Sequence, residues 1–364
     1  MKIAYLIDYD PCTNNGVMQK IYQQSLQWTK KDHTVYLVST KTMSVYDADQ
    51  NIILQEKPLN VKLGRIGTAI NLLYNSYFTY KLFENIEIDM IYMRYRLYMP
   101  FINKIFKNHR VIMEINSDDT LEYKLHSQLT HRYNSMTRAY FLKHIDAFVS
   151  VSYELKKKFE YFNKPIEVIG NGIEYIEYIE YKEYGVVKRE FNKVPIFVFI
   201  GTPNQSWHGL DKIIMMAEHF KEYRFYIIGS DGEDSQNIQY FGYLTKEEST
   251  RIINQCDIGI GTLSLYETGL TEASPLKSRQ YLACGLPLIY AYTDTDIPND
   301  VEFGLRLENT ENNMDYQKID NFIQNVFNNK SISLNARKFS EEILGYDKKE
   351  EVRLIFFKRV VDEK

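Results

Sequence analysis

Short apolar runs rich in β-branched and aromatic residues recur at 2–7 (KIAYLI), 34–38 (TVYLV), 89–93 (DMIYM), 110–115 (RVIMEI) and 146–151 (DAFVSV). Longer segments with helical spacing separate them. Strands alternating with helices predict a parallel, doubly wound sheet. The pattern restarts at 195–200 (PIFVFI), 223–229 (YRFYIIG), 238–242 (IQYFG), 256–261 (CDIGIG) and 286–290 (LPLIY), which predicts a second α/β unit of similar size. Between them IEYIEYIEY (173–181) is followed by Lys182-Glu183-Tyr184. Its apolar and acidic residues alternate as in a strand, yet three copies at a domain junction read as a linker or exposed insertion. The last segment, about 335–362, is helical and amphipathic, with Leu354, Ile355, Phe357 and Val360 available for packing. Three parts follow: a first domain over 1–172, a second over 173–340, and a C-terminal helix over 341–364 packing back across the junction. Segment 62–83 carries only Lys62, Arg65 and Lys81 as charges, with Ile66, Ile70, Leu73, Tyr77 and Phe78 near helical spacing. It reads either as a core helix or as one lying on a bilayer or beside a lipid-linked acceptor.

At 364 residues, 44% hydrophobic and 25% charged, the chain can bury a large core, and general disorder is excluded. Cys12, Cys256 and Cys284 lack the spacing of a disulfide framework or zinc site. The start, MKIAYLIDYDP, is too short and too charged for a signal-peptide core, and no uncharged stretch is long enough to span a membrane. A cytoplasmic protein is expected. The net charge of −4 hides an asymmetry: residues 1–170 hold 22 Lys and Arg against 17 Asp and Glu, the remainder 22 against 31. The basic first half suits an anionic surface, such as acidic lipid at the inner face of the plasma membrane, or a phosphorylated acceptor.

Three places carry chemistry. Strand 2–7 runs into Asp10-Pro11-Cys12-Thr13-Asn14-Asn15-Gly16 and then a helix, so a polar loop lies where ligands bind in open α/β sheets. Neither the dinucleotide fingerprint nor a Walker loop occurs. Gly201-Thr202-Pro203-Asn204-Gln205-Ser206-Trp207-His208-Gly209 follows strand 195–200 and opens a helix, offering backbone N–H groups and an imidazole to charge on a leaving phosphate. The third block runs from Glu272 through Ser274, Pro275, Leu276, Lys277, Arg279 and Gln280 to Gly285 and Pro287. Pro275 fits a first helical turn, Ser274 its cap and Gly285 its end, with Lys277 and Arg279 adding charge for a diphosphate. Asp294-Thr-Asp296 has metal-site spacing but reads as a loop. Arg94 and Arg96, after strand 89–93, suit an anionic acceptor.

This third block resembles the motif of retaining glycosyltransferases of the GT-B architecture, similar to family 4: Glu, seven residues, Glu, a small-residue helix, Gly, x, Pro and an apolar strand. Glu272 and Gln280 stand at the acidic positions; Ala283, Gly285 and Pro287 match the rest. The resemblance implies two Rossmann-like domains facing a cleft, the first on the acceptor side, the second on the nucleotide-sugar side. By it Glu272 touches the transferred sugar, Gln280 the ribose, and the amides of Ser274, Pro275-Leu276 and Lys277 the diphosphate. Gly242 and Tyr243 lie beside the base, and Gly16, Gly201 and Thr202 line the ligand loops. Three departures stand out. Gln280 replaces the second acid. Thr202 and His208 stand where arginine and lysine are usual, shifting charge neutralisation to Lys277 and Arg279. Asn116, in Glu114-Ile-Asn116, stands where the first domain often has His.

The resemblance implies a hexosyltransferase-like reaction with retention, a UDP-sugar as donor, a cell-surface glycan or lipid-linked precursor as acceptor, and neither a metal, a cofactor nor nucleic acid. A role in polysaccharide biosynthesis, peripheral at an acidic membrane, fits the basic half. The departures at Thr202, Asn116 and Gln280 motivate the alternative, a catalytically inactive GT-B subunit that partners another glycosyltransferase. A nucleotide-sugar 2-epimerase of the same architecture is disfavoured by the lack of its acid-rich set.

Overall fold

The computed structural model describes residues 1–13, 15–174 and 191–363, so most of the IEY repeat, 175–184, lies outside the described residues. The chain divides into unit 1, Met1–Ile169 with Lys349–Lys364, and unit 2, Gly170–Lys348.

Unit 1 holds one sheet of β1 (Lys2–Ile7), β2 (Thr34–Ser39), β3 (Ser44–Tyr46), β4 (Ile52–Gln55), β5 (Met90–Arg94), β6 (Arg110–Ile115), β7 (Ala147–Ser150) and β8 (Ile166–Val168). Its order is β4-β3-β2-β1-β5-β6-β7-β8, parallel except where β3 pairs with β2 and β4. The central strands are apolar and buried along nearly their whole length, as expected of strands covered on both faces. Helices α1 (Gly16–Thr29), α2 (Gly64–Glu84), α3 (Ile102–Phe106), α4 (Asp119–His126), α5 (Gln128–Leu142) and α6 (Tyr153–Phe159) connect them. Apolar runs announced the long parallel strands. They did not announce β3, β4 and β8, which are short and peripheral.

Unit 2 follows the doubly wound order β11-β10-β9-β12-β14-β16, all parallel: β9 (Ile196–Ile200), β10 (Arg224–Ile228), β11 (Ile238–Tyr240), β12 (Ile258–Ile260), β14 (Leu288–Tyr290) and β16 (Gly304–Arg306). A separate two-stranded pair joins β13 (Glu272–Ala273) to β15 (Thr293–Asp294). The helices are α7 (Leu210–His219), α8 (Lys246–Gln255), α9 (Leu276–Ala283), α10 (Tyr316–Asn328), α11 (Ser331–Phe339) and α12 (Tyr346–Asp362). Helix α8 starts at a reciprocal capping box of Thr245 and Glu248, and α10 buries Ile319, Phe322, Ile323 and Val326 at helical spacing.

The strand order reverses between β1 and β5 in unit 1 and between β9 and β12 in unit 2. Ligands of open α/β sheets bind outside the carboxyl ends at such reversals.

Two sequence expectations need correction here. From Lys349 onward α12 belongs to unit 1, where Leu354, Phe356, Phe357 and Val360 join the core; Ile355 is 65% exposed, because the buried stripe lies one residue further on. Helix α2 is not a core helix along its length. Only its inner side and last turn are covered, and Leu63, Ile66, Ile70, Leu73 and Tyr77 stand in solvent. No described helix is long and apolar enough to cross a membrane.

Candidate functional site

In unit 2 the carboxyl end of β9 passes into Gly201-Thr202 and the short turn Ser206–His208 before α7. Gly201 lacks a side chain for a steric reason: a Cβ there would sit 2.7 Å from His208 Nδ1. The His208 ring therefore packs over the strand end, 5.4 Å from the Phe199 ring. Burial, then the nearby Lys277 charge, push its pKa down to about 3, so the imidazole is neutral at pH 7. His208 is thus a hydrogen-bonding group and not a source of positive charge. Phe199, Thr202, His208, Ser230 and Glu267 share a cavity of about 460 Å³. Phe199, Ser230 and Glu267 carry no motif signal; their strand-end and loop positions alone could have flagged them.

Helix α9 brings the second element. Its N-cap is Pro275, in extended conformation with no side-chain cap, rather than Ser274 as the sequence suggested. Ser274 is engaged elsewhere: its Oγ accepts from Asn171 N at 2.7 Å and its carbonyl from Asn171 Nδ2 at 2.5 Å. The first-turn N–H groups of α9 are thus left to a ligand or solvent. Lys277 lies in that turn, and its Nζ is buried without a hydrogen-bond partner, 4.1 Å from the centre of the Phe199 ring. Burial lowers its pKa to about 7.

Arg279 is also placed differently from expectation. It is fully buried, and its guanidinium meets Asp294 at 2.5 and 2.8 Å and Asp296 at 2.7 Å, while Nε donates to Asn171 O. Four of its five N–H donors are taken by protein and none of the side chain reaches solvent, so Arg279 is not available to a diphosphate. The Asp294-Thr-Asp296 segment, expected as a loop, is a short strand and bend that supplies these carboxylates. Glu272 lies half-buried in β13, which pairs with β15. Leu276 and Gln280 are half-buried on α9, which ends at Gly285 with φ +70°. Gly242 has φ +59°, and its carbonyl accepts from Gly229 N at 2.7 Å, putting it beside the end of β10; Tyr243 is exposed.

Unit 1 has its own concave site at the end of β1, β5 and β6. A cavity of about 390 Å³ is lined by Asp8, Tyr9, Leu72, Arg94, Arg96, Tyr98 and Asn116, among others. Asn116 is held rigidly: Lys20 Nζ donates to its Oδ1 at 2.9 Å, and its Nδ2 donates to Glu114 at 3.2 Å. Lys20 also meets Glu114 at 3.0 Å, and Arg353 at 3.2 Å completes a buried network with Glu350. Burial alone would raise the Glu114 pKa, but Lys20, Arg353 and Arg94 hold it far below the usual carboxylate range; burial lowers Lys20 to about 8. Lys20 escaped the sequence reading because it is one residue of an ordinary amphipathic helix. Arg96 Nη1 lies 2.7 Å from Asp8 Oδ1, but neither its Nη1 nor its Nε has a well-directed acceptor. Gly16 is the exposed first residue of α1, whose cap is the Asn15 side chain on Met18 N. The predicted residues thus fall into two groups, Gly16 and Asn116 in unit 1 and the rest in unit 2.

No protein-family model and no curated protein matches the chain in sequence. Solved structures do match in fold. Sucrose-phosphate synthase from Thermosynechococcus elongatus superposes with a TM-score of 0.71 at 12% identity, covering 100% of both chains. A glycosyltransferase from Rickettsia africae gives 0.66 at 15%, covering 100% of this chain and 99% of its own. HepE from Anabaena, solved with UDP and glucose, gives 0.63 at 14%, covering 98% and 99%. The likeness at such identities is one of fold: the chain has the two-unit GT-B architecture of these glycosyltransferases.

Proposed function

We propose that the chain is a retaining glycosyltransferase moving a sugar from a nucleotide diphosphate, a UDP-sugar, to a glycan or lipid-linked acceptor, peripheral at an acidic membrane surface. The observation that carries this reading is the Lys277 ammonium, over the Phe199 ring but buried without a hydrogen-bond partner in the uncapped first turn of α9. An uncompensated buried lysine is costly, and a diphosphate there would supply both its counter-charge and its hydrogen bonds. The N–H groups of that turn add a favourable dipole. Glu272 would hold sugar hydroxyls, Gln280 the ribose, and Gly201, Thr202, Gly242 and Tyr243 the surrounding nucleotide contacts. Neutral His208 would donate one hydrogen bond. The acceptor belongs to the unit 1 cavity, with Asn116 positioned by Lys20 and Glu114.

In this reading the acceptor oxygen attacks the anomeric carbon from the face the diphosphate leaves, and a departing phosphate oxygen takes the hydroxyl proton. The protein contributes alignment and leaving-group stabilisation.

A second reading has a specific observation behind it. Thr202 is uncharged, His208 is neutral and Arg279 is consumed by two aspartates, so little positive charge remains for a leaving diphosphate. That favours a non-catalytic subunit. A panel of nucleotide sugars, read by thermal shift and by release of free nucleotide diphosphate, separates the two. Stabilisation with turnover of a UDP-sugar is the expected result. No stabilisation by any nucleotide sugar favours the subunit and removes the transferase reading.

A further inference from the structure

Helix α2 is polar on its inner face and apolar on its outer one. Asn71 and Asn75 face inward, where their side-chain amides pair with the backbone of Val61 at 2.8 and 3.1 Å and of Leu59 at 3.0 and 3.3 Å. Ser76 and Thr79 are buried beside them. The outward stripe Leu63, Ile66, Ile70, Leu73 and Tyr77 repeats at three- and four-residue spacing, with Ile66 70% and Leu73 52% exposed. A helix folding only for its own unit would present the opposite pattern. At 1.5 Å per residue the stripe runs about 21 Å.

Two further observations identify what covers it. Its rim is mainly basic and aromatic: Lys57 and Lys62 are exposed near its start, and Lys81, paired with Glu84 at 2.7 Å, and Lys104 lie within 5.8 Å of the Tyr77, Tyr80 and Phe101 rings. Apolar stripe, aromatic flank and lysine fringe are what a helix at an anionic leaflet presents. The stripe is also continuous with the unit 1 cavity, because Leu72, beside Leu73 and itself 40% exposed, lines that cavity with Arg94, Arg96 and Asn116. Tyrosines, carboxylates, arginines and an amide together suit a polyhydroxylated ring better than a bare anion, since Asp8 already offsets Arg96.

We infer that the acceptor is a membrane-resident amphiphile whose hydroxylated head enters the unit 1 cavity while its hydrocarbon tail, within an anionic leaflet, lies along the α2 stripe. This rests on the acceptor reading of unit 1.

Two probes test it on the full chain. Vesicles of equal phosphatidylcholine and phosphatidylglycerol should co-sediment with the protein, and the double variant Ile70→Ser, Leu73→Ser should lose about tenfold or more in partitioning, because two aliphatic side chains leave the apolar stripe. Both side chains are exposed, so the melting temperature should hold. Dodecyl maltoside below its micellar concentration should slow backbone hydrogen exchange in both α2 and the 94–99 loop of the wild type, and maltose alone should leave α2 unchanged. Unchanged vesicle partitioning of the variant overturns the inference, as does exchange protection in neither segment. A wild-type dimer abolished by the variant overturns it too, by assigning the stripe to self-association. UDP protection of unit 2 is the internal control: vesicles without UDP binding would refute the transferase reading alone, and UDP binding without vesicles this inference alone.

Discussion

In the proposed function Lys277 and Glu272 take two different contacts, one with the diphosphate and one with the sugar. A sugar contact affects turnover, so Glu272→Gln should cut turnover about tenfold or more, equivalent to 1.4 kcal/mol, while UDP affinity measured by calorimetry stays. Lys277 would instead meet the diphosphate, so Lys277→Met should weaken UDP far more than uridine. The same variant should make the ligand-free protein more stable at pH 7, and the sign follows from linkage. The folded-state pKa of about 7 lies below the ordinary 10.5, so the unfolded chain binds more protons between those values and stability rises with pH across them. The destabilisation from Lys277 is full below pH 7 and absent above 10.5. Urea unfolding of wild type and variant at pH 7 and near 10.5 should show the variant's advantage shrinking. The place of Lys277 in the first turn of α9 was legible because it sits in one dense motif. The role of Arg279 was not: a sequence shows a basic residue near a helix start but not the two aspartates, fifteen and seventeen positions on, that consume it.

Elements explain why one arginine can matter to a whole turn. Arg279 ties α9 to Asp294 and Asp296, and its Nε reaches Asn171 O, whose residue in turn holds Ser274. Removing it strands a buried carboxylate, and breaking such a pair typically costs about 3–5 kcal/mol. Arg279→Met should therefore lower the urea midpoint of unit 2 strongly, whereas a phosphate-binding role would leave ligand-free stability nearly unchanged. Long strands buried on both faces were readable, since a run such as IFVFI has no amphipathic alternative, whereas the buried but three-residue β3 was not. The pair β13 and β15 was not readable either, because two-residue strands carry no periodicity; backbone bonds from Thr293 N to Thr271 O and from Thr295 N to Ala273 O join it. Helix α2 shows the complementary limit. Its spacing was visible, but which of its faces turns inward depends on two asparagines that find backbone partners at 59–61.

Chain connectivity sets the last consequence. Unit 2 is one continuous stretch, while unit 1 needs its own final helix, since the chain returns to it at Lys349. That helix supplies more than apolar cover. Arg353 donates to Tyr92 OH at 2.6 Å and neutralises Glu114 and Glu350, and Glu350 accepts from Trp28 Nε1 at 2.8 Å. The Phe357 ring packs 5.0 Å from Tyr92 and 5.3 Å from Trp28. Truncation after Lys348 would expose those rings and leave Glu114 with Lys20 and Arg94 but without Arg353, loosening the pair that positions Asn116. Unfolding of the truncated chain should then show two steps, with unit 1 melting first and a later step still raised by UDP. A milder form, Arg353→Met in the full chain, keeps most of the apolar cover and should lower only the unit 1 step, by about 3–5 kcal/mol, because two buried carboxylates lose their shared partner. Hydrogen exchange resolved by segment checks both: faster exchange should be confined to β1, β5 and β6, and acceleration spreading equally through β9 and β12 would mean that the helix stabilises the molecule as one cooperative block.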